Sequence, residues 1–288
     1  MSMTTPDLKS SGRTTAPAST ERETAIAVEA YRALEDGRQI PSFSARYQDF
    51  SLEEAYRITA LVRRMREERG ECAVGRKIGF TNRTIWEEYD VHAPIWGPVY
   101  DRTVFDLSTL GGSFSLQGFA EPRIEPEIVF GLARAPQPGM DEAALLGAIE
   151  WVAHGFEIVQ SIFPEWRFSP ADTVAAFGLH GALLIGPRVA VAPRREEWLH
   201  QLATFTVDLE RDGAAMDRGQ AANVLDGPVS ALRHLVELLA RDPVNPPLAA
   251  GEIVTTGTLT RAFPVRAGET WSTKLNGVLL DGIAVRFV

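Results

Sequence analysis

The sequence holds a single cysteine in 288 residues. Cys72 alone excludes an intrachain disulfide and a cysteine-based metal cluster, and it suits a reducing cytoplasm. No apolar run approaches the ~20 residues that a membrane-spanning helix needs. Basic residues are in deficit: 29 Lys and Arg stand against 38 Asp and Glu, for a formal net charge of −9. That balance disfavours nucleic acid and anionic membrane as partners. It leaves small anionic substrates open, because local charge governs those. Residues 1–19 are rich in Ser, Thr, Ala and Pro and lack an apolar signal core, so a disordered tail is expected there. No internal repeat is present.

What remains is an ordinary globular composition, 45% hydrophobic and 23% charged, enough for a substantial core. Thr20 and Glu23 have capping-box spacing and Gly37 sits where a C-cap belongs, so a helix is expected over 20–36. Ser51, Glu54 and Gly70 bound a second helix over 51–69 in the same way. Together they make an N-terminal helical region, residues 20–73. Asn82 is a candidate N-cap for a short helix through Glu88. From residue 74 to 288 the chain turns predominantly β. Strands are expected at 124–132, 156–162, 182–185, 205–211, 253–256, 270–275 and 278–288. Asp212-Gly213 and Asn276-Gly277 are hairpin dipeptides. Helices are expected at 141–152 and 228–240. The pattern is α+β with much antiparallel sheet.

The chemistry starts at Pro122-Arg123-Ile124-Glu125-Pro126-Glu127-Ile128-Val129-Phe130. Read as a strand, it places Glu125 and Glu127 on one face. Two adjacent carboxylates repel, and burying them unpaired costs several kcal/mol. A hard divalent cation with oxygen ligands resolves the conflict. An edge strand with both acids in water accounts for these residues equally well. A third acid, Glu157, sits among Phe156, Ile158 and Val159. It completes a three-oxygen facial site, or else pairs with a buried Arg or Lys. Lys77, in Gly75-Arg76-Lys77-Ile78-Gly79, either snorkels to the surface or donates a proton beside such a site. His92, His154 and His180 lie near these motifs and are each either a general base or a structural histidine.

Taken in order, Gly75 to Thr81, Pro122 to Glu127, Ile149 to Glu157, Asp172 to Ala175 and Thr256-Gly257-Thr258 resemble the 2-keto-4-pentenoate hydratase / 4-oxalocrotonate decarboxylase family. That family belongs to the fumarylacetoacetate hydrolase superfamily. The resemblance implies a rolled, mixed β-sheet core with an N-terminal helical cap, over a catalytic domain spanning 74–288. It implies a Mg²⁺ or Mn²⁺ ion on Glu125, Glu127 and Glu157, with Lys77 as the active-site lysine. Thr256 and Gly257 match a turn that helps hold the substrate carboxylate, and Arg123, beside the ligands, either clamps a carboxylate or pairs with Glu121 or a ligand's free oxygen. A metal-dependent lyase for a 2-oxo or 2-hydroxydienoic acid follows, with hydratase as the family default. Decarboxylation, or hydrolysis of an acylpyruvate or β-diketone C–C bond, can run on the same enolate-stabilising device. A homo-oligomer, or a complex with a pathway partner enzyme, is also implied.

Two departures bear on the substrate. Hydratases of the family commonly read Pro-Asp-Phe-Gly where this chain has Pro94-Ile95-Trp96-Gly97. Where the family often has Ala-Asp-Asn-Ala-Ser after the Thr-Val pair, this chain has Ala175-Ala176-Phe177-Gly178-Leu179-His180. Ile95, Phe177 and His180 are therefore expected to shape a more hydrophobic pocket.

Overall fold

The computed structural model describes residues 20–83, 86, 87, 91 and 93–288. The expected N-terminal tail, His92 and residues 84, 85 and 88 of the helix expected after Asn82 lie outside the described residues. Among the described residues no helix is long and apolar enough to cross a membrane.

Helices α1 (Glu21–Glu35), α2 (Phe43–Arg46) and α3 (Leu52–Glu68) open the chain. The Thr20 hydroxyl accepts from the Glu23 N–H while the Glu23 carboxylate accepts from the Thr20 N–H, which satisfies two otherwise orphan donors. Ser51 caps α3 through the Glu54 N–H. Strands β1 (Ala73–Gly79), β2 (Ile95–Tyr100), β3 (Val104–Asp106) and β4 (Ser113–Phe114) follow, then the long pair β5 (Arg123–Leu132) and β6 (Ile149–Val159). Helix α4 (Glu142–Leu146) lies between those two, and α5 (Pro170–Ala175) precedes β7 (His180–Ala190). Helix α6 (Arg195–Thr204), strands β8 (Thr206–Arg211) and β9 (Ala214–Gln220) and helix α7 (Pro228–Ala240) come next. Strands β10 (Ile253–Thr255), β11 (Phe263–Pro264), β12 (Thr270–Asn276) and β13 (Ala284–Phe287) complete the chain.

The larger sheet runs β2-β1-β10-β5-β6-β7-β3, with β11 added to β5. Its two outer strands are joined by only residues 101–103, so the sheet must curl for β2 to lead into β3. It is mixed: β1–β10 and β3–β7 are parallel, the other pairs antiparallel. The smaller sheet, β4-β13-β12-β8-β9, packs on one part of it through Phe156, Leu184, Trp271 and Phe287. Helices α4, α6 and α7 cover another part through Phe130, Val152, Trp198 and Leu235. This is the α+β, rolled-sheet architecture expected from sequence. Helices α1 and α3 pack against α5, and their apolar side chains share one core with Ile95, Val159 and Leu179.

Four elements differ from the sequence reading. The helix expected over 141–152 stops at Leu146, and Ile149 to Val152 begin β6 instead. Trp151 there pairs with Gly131 and Val152 with Phe130, so the long ladder with β5 outweighs local helical periodicity. Strand 278–288 shrinks to β13. Asn276-Gly277 opens a longer connection to it, whereas Asp212-Gly213 forms the two-residue β8–β9 turn with φ of 51° and 79°. Helix α6 and strand β9, both rich in charged or exposed residues, carry too weak an apolar pattern to be read in advance.

Candidate metal centre

The register of the larger sheet sets the site. Glu125 lies directly opposite Glu157, and Lys77 lies beside Thr255. Alternation along β5 puts Arg123, Glu125 and Glu127 on one face. A carboxylate oxygen from each of Glu125, Glu127 and Glu157 falls within 4.8 Å of the other two. Glu127 and Glu157 are fully buried, and Glu125 is half-buried at the cavity wall. Directly opposed like charges destabilise a sheet, so this arrangement needs positive charge.

Lys77 brings a cation into direct contact with the acids. Lys77 Nζ lies 3.1 Å from Glu157 Oε2. Burial would lower the Lys77 pKa, but the charges of Glu157, Glu125 and Glu127 outweigh it and hold the ammonium above its usual range. Burial likewise acts upward on Glu157, and Lys77 with the His180 hydrogen bond overcomes it to keep that carboxyl low. Lys77 also acts downward on the other two acids, and Arg123 on Glu125, but burial outweighs them. Burial, opposed by Lys77, pushes Glu125 up to about 7. Burial and the charges of Glu157 and Glu125 push Glu127 well above the usual glutamate range. One ammonium among three carboxylates leaves a deficit that a divalent cation would fill. Glu127 Oε1 is buried with no hydrogen-bond partner among the described residues, which is what a free ligand oxygen looks like. The all-oxygen donor set fits Mg²⁺ or Mn²⁺.

The remaining oxygens are held from behind. Glu127 Oε2 accepts from the Gly257 N–H at 2.8 Å and from the Thr255 hydroxyl. Glu157 Oε1 accepts from His180 Nδ1 at 2.8 Å, and Thr103 Oγ1 lies 2.8 Å from His180 Nε2. Burial lowers the His180 pKa, and because a carboxylate only accepts, Nδ1–H donates to Glu157. His154, held down to about 4 by burial, is neutral. It lies 2.9 Å from the Glu127 carbonyl and 2.9 Å from Thr273 of the smaller sheet. Both histidines are therefore braces for the acidic strands in this structure.

A cavity of about 220 Å³ opens onto Lys77 and Glu125. Ile95, Val159 and Leu179 form an apolar wall, and Arg123, Trp166 and Arg261 line it too. The Arg123 guanidinium sits 4.0 Å from the Trp166 ring centroid. It has no carboxylate partner among the described residues, and Glu121 instead accepts from Glu165 and Trp166.

The sequence-predicted residues thus divide. Lys77, Glu125, Glu127 and Glu157 converge, and Ile95 and Arg123 line the cavity beside them. Phe177 points into the helical core, and its neighbours Gly178 and Leu179 line the cavity instead. His180 stands behind Glu157. The Thr256 hydroxyl is used by the Ile128 carbonyl, and Gly257 contributes its N–H to Glu127. Thr81, Thr255 and Trp166 were not singled out from sequence. Thr81 lies in a quoted motif, and Thr255 directly precedes another, while Trp166 carries no local signal.

The Phe177-Gly178-Leu179 turn has φ of 64°, 63° and 63°. This left-handed backbone lies against Gly97, where a Cβ would meet the Phe177 carbonyl at 2.6 Å. A Cβ on Gly178 would stand 2.9 Å from Lys77 Cδ. The turn therefore packs directly on the lysine stem.

No family model matches the chain. It is 30% identical to a 2-hydroxyhexa-2,4-dienoate hydratase of Comamonas testosteroni, over 86% of this chain and 91% of that protein. It is 29% identical to a 4-oxalocrotonate decarboxylase of Pseudomonas sp. (strain CF600), over 88% and 92%. The fold matches the 4-oxalocrotonate decarboxylase of Pseudomonas putida G7 complexed with magnesium and adipate, with a TM-score of 0.84 at 25% identity over 94% of this chain and 99% of that one. By these relatives, the chain belongs to the 2-keto-4-pentenoate hydratase / 4-oxalocrotonate decarboxylase family.

Proposed function

We propose that this protein is a Mg²⁺- or Mn²⁺-dependent lyase for a 2-oxo or 2-hydroxydienoic acid, with a hydratase as the leading reading. The observation that carries it is the convergence of three buried carboxylates and one ammonium on a cavity wall. In this reading Glu125, Glu127 and Glu157 hold the cation. Bound there, it supplies a Lewis acid to the oxygens of a 2-oxo acid.

The chain's own groups do the rest. Hydration and decarboxylation both require a proton to reach a substrate carbon. Lys77 holds one at Nζ, on the cavity wall and beside the carboxylates. Gly257, Thr255 and His180 keep Glu127 and Glu157 from rotating, which preserves the spacing that proton delivery needs. Ile95, Val159 and Leu179 keep water off one side of the substrate. Arg123 places positive charge on the wall for an anionic group.

A decarboxylase is the second reading. Its support is Ile95, which puts an apolar side chain where the hydratase motif has an acid, and the overall likeness to the decarboxylase of P. putida G7. Residues 20–73 serve as a helical support for the cavity wall and 74–288 as the catalytic part. A homo-oligomer in the cytoplasm, with or without a pathway partner, belongs to the same proposal.

The test is to incubate the Mg²⁺-loaded protein with 2-hydroxypenta-2,4-dienoate and with 2-oxohex-3-enedioate, following dienol absorbance and CO₂. Water addition without CO₂ supports the hydratase. CO₂ release from the second compound supports the decarboxylase. Inertness toward both would overturn the proposal.

A further inference from the structure

Four threonines line the cavity: Thr81, Thr173, Thr258 and Thr260. Three of their hydroxyls are used by the backbone. Thr173 donates to the Pro170 carbonyl, Thr258 to the Thr260 carbonyl and Thr260 to the Arg261 carbonyl. The Thr81 hydroxyl is different. It is buried, with the residue only 2% exposed, and has no hydrogen-bond partner among the described residues. A buried hydroxyl left without a partner is costly, and most native ones find one.

Thr81 is also held in place. Its carbonyl accepts from the Leu225 N–H at 3.1 Å. Its side chain fills the space beside Gly257, where a Cβ would come within 1.9 Å of Thr81 Oγ1. Gly257 has φ of 101°, a conformation that favours glycine, and its N–H reaches Glu127. The missing Cβ at Gly257 thus leaves room for the Thr81 hydroxyl against the residue whose N–H holds Glu127. A fixed donor in the same cavity as Lys77 and Glu125 suits an anionic acceptor on a ligand.

The geometry points to Thr81 as a substrate-binding residue, donating its hydroxyl to the carboxylate of the 2-oxo acid at the metal end of the cavity. This inference rests on the 2-oxo acid reading above. It gives Thr81 the carboxylate-binding part that the motif resemblance assigns to Thr256, whose hydroxyl is already used by Ile128.

The test is calorimetric titration of oxalate, a small 2-oxo acid mimic, into the full chain with and without saturating Mg²⁺. Mg²⁺ itself is titrated separately. Wild type is expected to bind oxalate only with Mg²⁺. Thr81→Val, which keeps shape and removes the donor, is expected to weaken that binding about tenfold to a hundredfold. Thr81→Ser is expected to stay within about threefold, and both variants to bind Mg²⁺ as wild type does. Thr81→Ala replaces Thr81→Val if the latter does not fold. Wild-type oxalate affinity in the valine or alanine variant overturns the role of Thr81 alone. A loss of Mg²⁺ affinity also overturns it, because Thr81 would then act on the metal site. Failure of wild type to bind Mg²⁺, or oxalate with it, overturns the underlying reading as well.

Discussion

Lys77 on β1 and Glu157 on β6 are 80 positions apart in sequence, yet Lys77 Nζ and Glu157 Oε2 lie 3.1 Å apart with both side chains buried. The contact crosses β10 and β5, so it exists only because the sheet curls. It gives Glu157 a charge partner that Glu125 and Glu127 lack.

Lys77→Met should separate catalysis from metal binding. The variant loses the proton donor, and turnover is expected to fall about 10²- to 10⁴-fold. It also loses a positive charge beside the cluster, so Mg²⁺ should bind at least as tightly as in wild type. Without metal the unpaired Glu157 should cost about 3–5 kcal/mol of stability. Steady-state kinetics, Mg²⁺ titration and denaturant unfolding check the three outcomes. Weakened Mg²⁺ binding would contradict the charge argument.

Metal removal should destabilise the fold itself. Three carboxylates with one ammonium are unfavourable when buried, and a cation that binds only the native state stabilises it by mass action. At about a hundredfold above Kd, Mg²⁺ should add about 2.7 kcal/mol. Thermal unfolding with EDTA and with graded Mg²⁺ measures this, and Glu127→Gln should abolish the shift. An unchanged melting temperature in wild type would argue against a site at this cluster.

Gly178→Ala tests the left-handed turn. The new Cβ meets a φ of 63° and stands 2.9 Å from Lys77 Cδ. A loss of about 1 kcal/mol or more in stability is expected from backbone strain. Turnover should fall further than stability alone explains, because the lysine stem must move. Gly139→Ala, at φ of 78° with no atom near its Cβ, is the control that carries strain without the Lys77 contact. Equal effects on turnover in the two variants would count against the contact.

The pH response of α1 follows from Glu23. Burial acts upward on its carboxyl, but the Thr20 N–H and the Arg57 ion pair outweigh it and leave the pKa below the usual glutamate value. A carboxyl lowered on folding contributes stability above its unfolded pKa and loses it as pH falls through the folded value. Protection of α1 amides from hydrogen exchange should therefore be full at neutral pH and decline below the ordinary glutamate range. Glu23→Gln should lower protection at pH 7 and flatten the decline. A wild-type profile that stays level into acid would refute the linkage.

Much of the fold was readable because its causes are local. The capping box of α1 and the Ser51 cap of α3 need only a few consecutive residues, as does the Asp212-Gly213 turn. Pro228 at the start of α7 is a similar case, since its missing N–H costs nothing in a first turn. The helix expected over 141–152 runs only to Leu146 because Trp151 and Val152 answer to β5, a partner some twenty residues away along the chain.

The site divides along the same line. By itself the sequence determined that Glu125 and Glu127 share a face, since alternation is a property of any strand. It also held the ordered motifs that mark the family. Only the tertiary structure decided that Glu157 stands opposite Glu125, that Lys77 reaches it, and that His180 and Gly257 brace the acids. It also decided that Thr256 is occupied while Thr81 is not. Those facts depend on sheet register, on curl and on where a backbone can approach a glycine, and none of these is encoded within any one stretch of chain.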